Sequence, residues 1–112
     1  MDYEKLVSLA KEIKKNAAVS EVRFFGSRAT GKRHIDDNPP LETSDWDLGI
    51  VIRQKLNVGV IKNALAATNT DPLTEKVDIK MVWEDEIWEQ HFGDIMKRNN
   101  SVLDGLANGI RL

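Results

Sequence analysis

Apolar positions along the chain follow two rhythms. From Asp2 to about Asn16, Tyr3, Leu6, Val7, Ala10 and Ile13 recur at spacings of three and four, with Lys and Glu between them, which predicts an amphipathic helix. "EVRFFG" then reads as a short strand ended by Gly26, and "SDWDLGIVIR" as a second strand rich in β-branched and aromatic residues. "NVGVIKNALAAT" returns to the helical period, with Val58, Ile61 and Leu65 on one face and Asn57 as N-cap. In "KVDIKMVW" the residues Val77, Ile79 and Met81 alternate with Lys76, Asp78 and Lys80, the period of a half-buried third strand. A last helix is expected from Glu84 to about Asn99, through Ile87, Phe92, Ile95 and Met96, with Gly93 as a break point. Between the first two strands "ATGKRHIDDNPPLET" gathers turn formers into a long loop, and the tail "SVLDGLANGIRL" has room for one more short strand.

Composition narrows the function classes. A chain of 112 residues makes one domain, 1–112, with a single core and no second domain to hold a large substrate. Hydrophobic residues at 41% and charged residues at 30% place it among chains that fold alone. Sixteen basic and eighteen acidic side chains leave a charge of -2, which offers no broad footprint for nucleic acid. Cysteine is absent, so there are no disulfides and no thiolate metal sites. The start "MDYEKLVSLA" lacks the pattern of a secretory leader, and no apolar run approaches the roughly 20 residues of a membrane span. The expectation is a cytoplasmic protein.

Asp45 and Asp47 stand two apart on the second strand and therefore project to one face, with Trp46 and Leu48 on the other. Two like charges so placed repel unless a cation lies between them, and magnesium, with its preference for one or two carboxylates plus water and phosphate oxygens, is the natural candidate. The plainer reading is a chance Asp-x-Asp at the end of a loop. Asp78 on the third strand joins the pair if the two strands are neighbours, with Lys76 and Lys80 beside it; otherwise it is paired with those lysines on a solvated face. Gly26 and Ser27 form a turn able to bring backbone amides and a hydroxyl to phosphate, or are an ordinary strand end. Arg28 has two readings, a phosphate contact through its planar fork or a tie to an acidic loop neighbour. His34, in the loop, and His91, in the last helix, read as non-catalytic, and Trp83 or Trp88 as partner-facing.

As a set, "GSRATG", "SDWDL" and "KVDIK" on successive strands resemble the nucleotidyltransferase superfamily that includes DNA polymerase beta. More narrowly they resemble its minimal nucleotidyltransferases, which include MntA-type antitoxins paired with HEPN-domain partners. The resemblance spans nearly the whole chain, although the stretch from Arg28 to Thr43 is longer than the family usually has. It implies an α/β (α+β) fold, a small mixed β-sheet with covering helices. It also implies that Gly26, Ser27 and Arg28 bind a nucleoside triphosphate, and that Asp45, Asp47 and Asp78 are catalytic and hold two magnesium ions, or manganese in their place. The implied activity is transfer of AMP from ATP to a hydroxyl on a HEPN-type toxin. The alternatives are a non-catalytic antitoxin that covers its partner and a transferase acting on a small-molecule hydroxyl. Nucleic acid and membrane are not expected partners, and a homo-oligomer is compatible with the sequence.

Overall fold

The computed structural model describes residues 1–30, 45–85 and 109–112. The chain begins with α1 (Tyr3–Lys14), whose start is fixed by Asp2: the Asp2 carboxylate accepts a hydrogen bond of 2.8 Å from the Lys5 backbone N–H. Lys11 and Lys14 sit in its last turn, where positive charge complements the helix dipole. Its inward stripe is Leu6, Leu9, Ala10 and Ile13, all fully buried. Leu9 joins a stripe that the spacing alone leaves out, while Tyr3 is half exposed.

Next come β1 (Val19–Phe25), the single-turn helix α2 (Ser27–Thr30), β2 (Trp46–Ile52), α3 (Val58–Ala67), β3 (Val77–Trp83) and the two-residue β4 (Ile110–Arg111). The Asn57 side chain accepts from Gly59 N–H at 2.9 Å and caps α3 as expected. Ala29 and Thr30, expected in the loop, are helical in α2. The tail supplies its strand as β4, and the expected helix beyond Asp85 and the loop residues 31–44 lie outside the described residues.

The sheet runs β3-β2-β1-β4. β1 is antiparallel to both β2 and β4, and β2 is parallel to β3, so the sheet is mixed and the fold is α+β. The parallel pair is joined by α3, because parallel neighbours cannot be linked by a hairpin. One face, carrying Val22, Phe24, Leu48, Ile50, Ile52 and Val77, packs against α1 and Ala64 of α3 as the core. Burying Leu6, Leu9 and Ile13 in it contributes about 1.5–3 kcal/mol each.

Two expectations about burial change. Val58 is exposed at the first turn of α3, while Ile61 and Leu65 pack on the core. On β3, Val77 is buried but Met81 is 44% exposed, and it is Val82, on the opposite face, that is buried. The strand lies at the edge of the sheet and its two faces are covered at different ends, so simple alternation fails.

Candidate active site

The face of the sheet away from α1 carries the acidic residues. In β1 that face shows Glu21, Arg23 and Phe25, in β2 Asp47 and Val51, and in β3 Asp78, Lys80 and Val82. The parallel register of β2 and β3 pairs Asp47 directly with Asp78. Adjacent strands are about 4.8 Å apart, so two carboxylates are set side by side across the ladder. On the other side of Asp47 the antiparallel register places Phe25, the last residue before the Gly26 turn.

Gly26 has φ 84°, in the left-handed region that glycine occupies without strain. It also lies beneath the Asp47 side chain: a β-carbon there would collide with Asp47 Oδ2 and stand 3.0 Å from its Cγ. Glycine is therefore required both to turn the chain and to let a carboxylate lie on it. The turn leads into α2, where Ala29 N–H donates to the Gly26 carbonyl at 3.1 Å.

The Asp47 carboxyl is pushed up to about 6, first by its own burial and then by the charges of Asp78 and Asp45, with Lys80 pulling it partly back. Lys80 Nζ lies 3.6 Å from Asp78 Oδ2. The two-carboxylate pair presents hard oxygen donors of the kind a magnesium ion takes, and a positive ion there would offset the burial and the like charges that hold the Asp47 proton. Asp45 is exposed and precedes Trp46, the first residue of β2. It adds to the field at Asp47, but among the described residues no group of three or more carboxylate or imidazole side chains converges tightly enough to hold a metal ion.

The arrangement sorts the residues singled out in the sequence. Asp47, Asp78, Lys80 and Gly26 meet at one place. Lys76 precedes β3 in a left-handed turn, φ 56°, so strand alternation does not set its side, and its carbonyl accepts the Trp46 N–H at 2.7 Å. The Arg28 guanidinium lies over the Trp46 ring, 4.6 Å from its centroid, and Trp46 in turn stacks on Phe24 at 5.6 Å. Trp46 thus faces the core side, as its position between two aspartates requires, and one partner of Arg28 is aromatic, which neither reading of the sequence included. Ser27 begins α2. Trp83 is 45% exposed on the edge strand. His34, His91 and Trp88 lie outside the described residues.

No family model matches the chain, and no curated protein matches it. Among solved structures it is similar to a candidate nucleotidyltransferase from Sulfolobus solfataricus, with 21% identity and a TM-score of 0.37 over 77% of this chain and 79% of that one. At that identity and score, the functional reading rests on the geometry of the site itself. Among the described residues no helix is long and apolar enough to cross a membrane.

Proposed function

We propose that the chain is a divalent-cation-dependent nucleotidyltransferase that moves AMP from ATP onto a hydroxyl of a HEPN-type partner protein, acting as its antitoxin. The observation that carries this reading is the in-register pair of Asp47 and Asp78 on adjacent parallel strands, with the Gly26 turn pressed against the Asp47 carboxylate. A carboxylate pair and a glycine turn pressed against it are the two halves of a site for a cation-bound triphosphate.

In this reading Asp47 and Asp78 hold magnesium, with Asp45 at the mouth of the site adding negative potential. The bound ions supply charge neutralisation on the phosphates and orientation of the attacking and leaving oxygens. Gly26 and Ser27 carry the triphosphate at the turn, and Arg28 shapes that turn from its seat on Trp46. Asp78, on the edge strand, lies nearest the acceptor. The acceptor hydroxyl gives its proton to the Asp78 carboxylate or to solvent as its oxygen bonds to the α-phosphorus, the bond from that phosphorus to the bridging oxygen breaks, and pyrophosphate departs. Positioning and electrostatics dominate chemistry of this kind, so a domain this small is adequate to it.

The acceptor is placed on a protein because the charge of -2 gives nucleic acid little attraction. Trp83, exposed at the far end of β3 from Asp78, suits an interface with such a partner.

The test is to incubate the chain and its partner with ATP and magnesium and weigh the partner by intact mass spectrometry. The partner gains the mass of AMP with wild type and not with Asp47→Asn. Neutralisation of the partner without added mass, equal for both proteins, would establish the covering antitoxin instead.

A further inference from the structure

We infer that Lys80 is the resting counter-charge of the carboxylate pair and becomes the phosphate-holding residue when a divalent cation takes its place. This rests on the nucleotidyltransferase reading above and assigns a substrate-binding residue to the same site.

Three features of its position carry the inference. Lys80 follows Asp78 by two residues on β3 and so stands on the acidic face. Directly across the ladder from it is Gly49, which offers no side chain, so at its own level β2 gives the ammonium no neighbour to bind. The ammonium instead leans back to Asp78.

That contact is long. Charge-assisted N–H to carboxylate bonds close at about 2.7–2.9 Å, and on this same protein Lys5 Nζ reaches Glu75 Oε1 at 2.7 Å. Lys80 stays 3.6 Å from Asp78, with its side chain 46% exposed. It is near enough to offset the negative field, which it does at Asp47 as well as at Asp78, but it is not committed to a single hydrogen-bonded geometry.

With a divalent ion held by Asp47 and Asp78, the oxygens that Lys80 now faces would already be offset by positive charge. The ammonium is then repelled from its present partner. The triphosphate arriving with the ion places its own anionic oxygens beside that face, within the sweep of a flexible four-carbon stem. A lysine is suited to this because it meets phosphate as a compact point charge and needs no fixed fork geometry.

The consequence is a pair of effects with opposite signs. In Lys80→Gln, manganese alone binds about threefold to tenfold tighter, because a competing positive charge has gone. A non-hydrolysable ATP analogue with magnesium binds about threefold to tenfold weaker, because a phosphate contact has gone. Lys80→Arg restores the analogue to near wild-type binding. A lysine that serves only as a surface ion pair predicts a different pattern, in which the analogue follows the metal and binds tighter.

The experiment measures manganese binding by electron paramagnetic resonance and analogue binding by calorimetry, on wild type, Lys80→Gln and Lys80→Arg, with Tm as the check on folding. Opposite shifts in Lys80→Gln, with recovery in Lys80→Arg, support the assignment. Weaker manganese binding in Lys80→Gln overturns the counter-charge role, and unchanged or tighter analogue binding overturns the phosphate role. A wild type that binds neither ligand overturns the transferase reading and this inference with it, whereas a binding wild type with an indifferent variant overturns the inference alone.

Discussion

The carboxylate of Asp47 rests on the α-carbon of Gly26, so the acidic strand and the glycine turn are a single construction. A β-carbon at position 26 would meet Asp47 Oδ2, Cγ and Cβ together, and the backbone there has φ 84°. Gly26→Ala therefore combines a backbone cost of about 1–3 kcal/mol with a collision against the most perturbed carboxylate in the site. In the double variant Gly26→Ala/Asp47→Ala the collision is relieved, and the loss is expected to be smaller than the sum of the two single losses. Urea denaturation of the four proteins checks this; strict additivity would mean that the carboxylate does not press on the turn.

Asp47 makes the cation-free fold less stable as pH rises. Its pKa in the fold, about 6, is above the ordinary carboxylate value, so between about pH 4 and 6 the folded chain holds a proton that the unfolded chain has released, and stability declines across that window. Asp47→Asn removes the decline. With allowance for solvent screening at a half-exposed group, the variant is expected to gain about 1–2 kcal/mol at pH 7. Thermal melts from pH 4 to pH 8 without divalent ions provide the check, and a wild-type curve flat across that range would contradict the account.

Divalent cation should reverse that penalty. Magnesium or manganese with ATP is expected to raise the Tm of wild type and to do much less for Asp47→Asn or Asp78→Asn, because the ion stabilises only a fold that offers it both oxygens. Equal shifts in all three proteins would separate the carboxylate pair from cation binding.

At the first turn of α1 the sign of the pH effect is opposite. The Glu75 carboxyl is held down to about 2, chiefly by the Lys5 hydrogen bond, and Asp71 is also lowered, chiefly by the Thr74 hydroxyl. Their contribution is present above the ordinary carboxylate range and is lost as pH falls from about 4.5 toward 2. Lys5→Met is expected to shift acid unfolding to higher pH and to leave the Asp47 transition in place, as circular dichroism across the acid range would show.

The Arg28–Trp46 contact ties α2 to β2. Trp46→Leu removes the ring beneath Arg28 and the stack on Phe24, and a cycle with Arg28→Ala is expected to give a coupling of about 0.5–1 kcal/mol. Zero coupling would mean that the two residues stabilise the fold independently.

Much of this was legible in local pattern, because helices and strands impose their own periods on a sequence. The alternation of "SDWDLGIVIR" separates Asp47 from Trp46, and the Asn57 cap and the glycine at the end of β1 announce their elements by residue type alone. Of the stripe of α1, Leu6, Ala10 and Ile13 were legible, whereas Leu9 is buried without having been expected, and the expected Tyr3 and Val7 are exposed and partly exposed, because the arc that is covered is set by what packs on the helix and not by spacing alone. Lys76 marks where alternation stops applying: it is itself left-handed and lies just before the strand begins.

By itself the sequence determined which residues could share a face within each element, since that depends only on the geometry of one strand or helix. It placed Asp47 and Asp78 on definite faces of separate strands and put glycine where the chain must turn. Only the tertiary structure decided that β2 and β3 are parallel neighbours in the register that sets Asp47 against Asp78, that Gly49 faces Lys80, and that Asp47 folds over Gly26. The physical reason is that register is a non-local choice: a slip of one residue would turn Asp78 to the other face, and what forbids the slip is the simultaneous burial of Leu48, Ile50 and Val77 against α1 and α3.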